Sequence, residues 1–177
     1  MSAPIEDYAM IGNMRTAALV SRNSSIDWLC LPRFDSPACF ASLLGTGENG
    51  RWLITSASEA RSITRQYQGN TMILATDLET ADGRVQLVDF MPILRGKNRN
   101  SVIRMVHGIS GIVRMRMELS PKFEYGRIIP RLRRVAEGVV AIAAPNGMSL
   151  NTPVDLLIRE SGIESEFVVA AGQTVTL

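Results

Sequence analysis

Histidine occurs once, as His107, and cysteine twice, as Cys30 and Cys39. A zinc centre of three or four Cys/His ligands cannot be assembled from that set. The two thiols allow one small disulfide loop at most, and in a chain without a secretory signal they are expected as buried thiols. Aromatic residues make up only 6% of the chain, too few for a base-stacking platform beside its basic residues. Lysine is confined to Lys97 and Lys122, against 17 arginines. No apolar run approaches the roughly 18 residues that a membrane span requires. The N-terminus carries Glu6 and Asp7 where a secretory signal has basic and then apolar residues. A soluble, cytoplasmic protein with no membrane partner is the expectation.

What is present is a globular composition. With 46% apolar and 20% charged residues over 177 positions, the chain can fill a core, and its length suits one domain spanning residues 1–177. The net charge of +2 hides an asymmetry. Eleven basic residues between Arg95 and Arg134 face only Glu118 and Glu124, so the rest of the chain is net acidic. Such a block suits nucleic acid, an acidic substrate or an acidic partner surface. The simpler reading is a set of solvated strand faces. From Val113 to Leu119, apolar Val113, Met115, Met117 and Leu119 alternate with Arg114, Arg116 and Glu118. No nucleic-acid partner is expected.

Period-two alternation broken by turn residues runs through the sequence. Hairpins are predicted at Asn23-Ser24, between 16–21 and 25–31, and at Ala81-Asp82-Gly83, between 71–80 and 84–91. Two more are predicted at Ser110-Gly111 and at Glu137-Gly138. Asp82-Gly83 is the strongest of these signals, read as a turn whose two central residues take positive φ. Short strands follow at 154–158, 166–170 and 174–177. One stretch departs from the pattern: residues 36–45 read as a two-turn helix, with Ser36 as N-cap, Pro37 in the first turn and Gly45 closing it. Many strands and one short helix, without βαβ alternation, predict an all-β antiparallel sandwich.

Candidate chemistry is sparse. Asp27, Asp35, Asp89, Glu118 and Glu124 are the carboxylates in ordered-looking segments, and no spacing singles out an acid–base pair of the kind glycoside hydrolysis needs. His107 lies in a strand-like run with no nucleophile at a telling distance. The 45–50 loop is glycine-rich but lacks the lysine of a phosphate-binding loop. No catalytic residue, cofactor site or metal site is predicted. The densest stretch is Ser25 to Pro37, where Pro32 halts ladder pairing and leaves Arg33, Phe34 and Asp35 at an exposed or interface corner. Arg33 and Asp35, two apart, suit each other, a sugar hydroxyl or a neighbouring domain.

At these residues the chain resembles a known family. Residues 4–12, 16–20 and 25–37, then Glu48-Asn49-Gly50-Arg51-Trp52, Thr80-Ala81-Asp82-Gly83-Arg84-Val85, Asp89-Phe90-Met91-Pro92 and Pro121-Lys122-Phe123-Glu124-Tyr125-Gly126 are similar to the N-terminal domain of glycoside hydrolase family fifteen. That family holds the bacterial glucoamylases and glucoamylase-like trehalases, and the trehalase-like branch is the nearer match. One departure is Asn23-Ser24, where members usually carry Asp-Gly. The resemblance implies a β-supersandwich followed by an (α/α)6 barrel, and the barrel's two glutamates hydrolyse α-glucosidic bonds with inversion. No position here matches either glutamate, and the barrel is absent from this chain. The expectation is therefore a non-catalytic domain that packs on the barrel and borders its sugar pocket. Trp28, Arg33, Phe34 and Asp35 are the candidate border residues, and an α-glucoside is the candidate ligand at that border. The alternative is a stand-alone sandwich that binds α-glucan or trehalose without cleaving it.

Overall fold

The computed structural model describes residues 3–93 and 100–177. The chain forms β1 Ala9–Gly12, β2 Ala17–Val20, β3 Ser25–Cys30, β4 Ala38–Phe40, β5 Arg51–Ser56, β6 Ser62–Tyr67, β7 Leu74–Glu79 and β8 Gly83–Phe90. It continues with β9 Ile103–Ser120, β10 Arg131–Val135, β11 Gly138–Ala143, β12 Asn146–Asn151, β13 Leu157–Ile158, β14 Ile163–Ala170 and β15 Thr174–Thr176. Every pairing between these strands is antiparallel. The fold is all-β and sandwich-like: a curled 12-stranded sheet in the order β1-β2-β3-β5-β9-β8-β7-β6, with four strands off that path, and a small sheet β10-β11-β12.

The sandwich is built around the 18-residue β9. Its first half pairs with β8 and β15, and its second half with β5 and β14. The side chains change parity between the halves: Arg104 and Val106 are buried in the first, Val113, Met115, Met117 and Leu119 in the second. The switch is made by a bulge at Ile109, where Arg84 pairs with Ser110 but Val85 pairs with Gly108. One extra residue flips every later side chain to the other face. Residues of both layers then share one core, with Ile54, Met115 and Met117 joining Leu78, Leu87 and Val106.

Ser110-Gly111 is therefore not a hairpin turn. It is the bend by which one strand passes between layers, and the edge that a hairpin partner would have used is taken by β8. Gly111 (φ +66) faces Gly83 (φ +155) in the register. A Cβ on either would lie 2.1–2.2 Å from a carbonyl oxygen of the opposite segment. Asp82 is not among the residues with positive φ, so Asp82-Gly83 is selected by this close approach and not by a turn with two left-handed residues. The hairpins at Asn23-Ser24 and Glu137-Gly138 form as predicted, with Ser24 (φ 65) and Gly138 (φ 151) in the unusual conformations.

The helix predicted over 36–45 does not form. Ala38–Phe40 is strand β4, paired with β3 through Leu29↔Phe40 and Cys30↔Ala38, and Ala38, Cys39 and Phe40 are all buried. Burial against β3 outweighs a local preference that is worth little over two turns. Ser36 caps nothing: its hydroxyl accepts from the Arg33 N–H. Only a 3-10 turn, Ser42–Leu44, remains of that element. The short α-type segment of the chain lies instead at Phe123–Gly126, and Glu124 and Tyr125 are left-handed within it.

Both cysteines are free and buried. His107 sits on the strand face, its Nδ1 2.8 Å from the Thr174 hydroxyl. Of the basic block, Arg95, Lys97 and Arg99 lie outside the described residues. The rest do not form one face. Arg104 is buried, Arg116 stands opposite Glu166 on β14, and Arg134 donates to the Leu156 carbonyl.

Candidate interdomain surface and cleft

Three loops meet at one end of the sandwich. In the β1–β2 turn the buried Asn13 carboxamide accepts from the N–H groups of Arg15 and Thr16, which holds Met14 in a left-handed conformation (φ 70). The same carboxamide donates to Asn100, 2.9 Å away, and Asn100 donates to the Pro32 carbonyl at 2.6 Å. Phe34 N–H donates to the Arg15 carbonyl at 3.0 Å. The corner predicted at Pro32 is thus tied to two other loops, and it presents apolar side chains to solvent: Met14 is 92% and Phe34 68% exposed. Arg33 grips Asp35 with two hydrogen bonds, at 2.9 and 3.2 Å. The Arg33 guanidinium holds the exposed Asp35 carboxyl below its ordinary range.

The four predicted border residues do not form one cluster. Arg33, Phe34 and Asp35 share the loop tip. Trp28 is on β3, packed over Cys30, Ala38 and Ala41 and tilted against Tyr125 with ring centroids 6.1 Å apart. By strand alternation Trp28 faces away from Leu29 and Leu31, and these two line a different feature.

That feature is a cleft of about 920 Å³. Leu31, Pro32, Pro37, Phe40 and Phe123 form one wall, and the small sheet's strand β12 forms the other. Glu124 reaches the cleft from the left-handed turn at φ 53 and is the only charged residue among its described lining residues. β12 carries no strand signal in the sequence, which marks the 121–126 segment only as a motif with Glu124 as a candidate carboxylate, not as a left-handed turn facing a cleft.

Apart from Glu124, the candidate carboxylates are individually engaged, Asp35 by Arg33. Asp27 accepts from Tyr8 and Ser25. Burial and the Asp27 carboxylate hold the Tyr8 hydroxyl well above its ordinary range. Asp89 is locked to Arg104, and Glu118 to Arg51 at 2.6 Å and Arg116 at 3.6 Å. No group of three or more His, Cys, Asp or Glu residues suited to a metal occurs among the described residues, and no helix there is long and apolar enough to cross a membrane.

A family model described as trehalase-like, N-terminal, matches residues 1–174. The trehalase of Thermoplasma volcanium is 33% identical over 141 residues, covering 77% of this chain and 22% of its own length. Trehalase 1 of Sulfolobus acidocaldarius is 33% identical over 135 residues, 76% of this chain and 22% of its length. The trehalase of Mycolicibacterium smegmatis is 28% identical over 142 residues, 71% of this chain and 21% of its length. The chain thus spans about a fifth of the curated relatives it matches. No solved structure matches it. With the match running along almost the whole sandwich, the chain belongs to the trehalase-like N-terminal domain family.

Proposed function

We propose that this domain is the non-catalytic β-sandwich of a longer trehalase- or glucoamylase-like hydrolase that inverts at α-glucosidic bonds. It packs on the catalytic (α/α)6 barrel through the Phe34 corner and borders the barrel's sugar pocket. The observation that carries this reading is Phe34 beside Met14. Two large apolar side chains stand in water on loops that hydrogen bonds hold rigid, and such a patch is costly unless a partner covers it. The carboxylates support the non-catalytic part, since Asp89, Glu118 and Asp35 are each neutralised by arginine. A stand-alone sugar-binding module gains less support. Such modules display aromatics on an open sheet face, whereas Trp52 is buried and Trp28 is half-covered beside Tyr125.

The same reading puts the protein in the cytoplasm, in keeping with its two unpaired thiols. The test is glucose release from trehalose and maltooligosaccharides by this chain and by the longer protein that carries it. Turnover by the longer protein alone is expected; turnover by the 177-residue chain would refute the reading. Trp fluorescence titrations with the same sugars separate the module, which binds, from the scaffold, which stays silent.

A further inference from the structure

We propose that the free edge of β12 is a strand-addition site, which receives one extended polypeptide segment from the remainder of the longer chain. This rests on the domain reading above and adds to it a defined site and a defined kind of contact.

A strand that turns one face to a cavity lines it with alternate residues. Every residue of β12 from Asn146 to Asn151, and Pro145 before it, lines the cleft. A continuous run of that kind means that the strand presents its edge. β12 is also the last strand of the small sheet, and all of its pairing among the described residues goes to β11. Its outward N–H and C=O groups therefore form a row of unused donors and acceptors, the template that an added strand completes. Exposed edges are normally guarded by charged residues or bulges. β12 carries no charged residue, and its register with β11 is unbroken from Asn146 to Asn151.

The opposite wall suits side chains of an extended segment. It is apolar, with Leu31, Pro37, Phe40 and Phe123, and it stands across a space of about 920 Å³. Six strand residues make the β12 wall about 20 Å long, a shape matched to an extended chain of mainly apolar and neutral residues. Thr176 and Leu177 line the same cleft, so a segment continuing from Leu177 starts within reach of the β12 edge. The relatives that the chain matches have ample further sequence to supply it, since it covers only 22% of two of them.

Hydrogen–deuterium exchange measured on this chain and on the longer protein tests the proposal. The β12 amides from Gly147 to Asn151 are expected to exchange at least about tenfold more slowly in the longer protein, with the Glu137-Gly138 turn unchanged. Equal β12 rates in the two proteins overturn it. The amides of Phe34 and Asp35 report domain packing separately. Their protection without that of β12 defeats strand addition and leaves the domain reading standing, and protection of neither defeats both. Protection of β12 in the 177-residue chain by trehalose or maltotetraose alone would make the cleft a sugar site and also overturn the proposal. Pro37→Glu places a charge on an exposed position of the apolar wall. It is expected to return β12 exchange in the longer protein to the rate of the shorter chain, without altering the shorter chain's thermal midpoint. Full protection in that variant counts against a strand lying between Pro37 and β12.

Discussion

Arg104 and Asp89 stand directly opposite each other on β9 and β8, with Nε 2.8 Å from Oδ1 and both side chains sealed from solvent. The guanidinium also donates to the Trp52 carbonyl at 2.6 Å and the Ser24 carbonyl at 2.7 Å. Its carbon lies 5.3 Å from the centre of the Trp52 ring. One side chain thereby joins the β8–β9 layer to β5 and the β2–β3 turn. Taking a guanidinium out of water is expensive, and pairing four of its five N–H donors makes the arrangement tolerable.

Removing one member of the pair strands the other charge in the core. Arg104→Met is expected to cost about 3–5 kcal/mol, while Arg104→Met with Asp89→Leu costs much less because no charge is left unpaired. Urea unfolding of the two single variants and the double variant gives the coupling. A double variant as unstable as the sum of the singles would contradict this role.

Burial holds the Cys39 thiol far above its ordinary range, with the neighbouring Cys30 as a smaller cause, and burial raises Cys30 as well. An unfolded thiol ionises near pH ~8.5, so above that pH the unfolded chain holds fewer protons than the native one and stability falls as pH rises. Below it the thiols make no difference. Between about pH 8.5 and 10 the fully buried Cys39 adds a slope of up to about 1.4 kcal/mol per pH unit. Cys39→Ala is expected to flatten the fall in the urea midpoint between pH 8 and 10, and an unchanged slope would refute it.

Local features of the fold were legible where one strand meets one turn. The alternation from Val113 to Leu119 places its apolar residues inward as read, and the 131–143 hairpin turns at Gly138. What stayed hidden depends on partners distant in sequence. The Ser36 to Gly45 stretch carries good helix signals, yet pairing with β3 makes Ala38–Phe40 a strand. Arg104 reads as one more member of a basic block, because its partner is 15 positions away on a neighbouring strand. At the candidate site, Pro32 correctly signalled an exposed Arg33–Asp35 corner. Trp28, four positions before Pro32 on alternating strand geometry, faces elsewhere. The cleft was invisible because β12 reaches its opposite wall only through tertiary packing.

The contact between Gly83 and Gly111 separates a steric need for glycine from a conformational one. Gly111→Ala meets the Asp82 carbonyl at 2.1 Å and a φ of +66, so it carries both costs. Gly69 has φ +56 with nothing within 4 Å, and Gly69→Ala carries only the left-handed penalty of about 1–2 kcal/mol. Gly111→Ala is therefore expected to lower the thermal midpoint well beyond Gly69→Ala. Equal effects would mean that the strand crossing can relax.

Phe34 offers the sharpest distinction between folding and docking. Its side chain is largely in water and its N–H, not its ring, holds the loop to Arg15. Replacing the ring should leave the domain's own core untouched. Phe34→Ser is expected to change the stability of this chain by no more than about 0.5 kcal/mol. The longer protein should respond differently, because a ring buried between domains contributes roughly 1.5–3 kcal/mol of apolar burial. Its thermal midpoint should drop, and the Phe34–Asp35 amides should exchange faster. Met14→Ser, on the adjoining loop, should act in the same direction. A Phe34→Ser variant of the longer protein with unchanged stability and amide exchange would show the corner facing solvent in the whole protein as well, and would remove it from the interdomain surface.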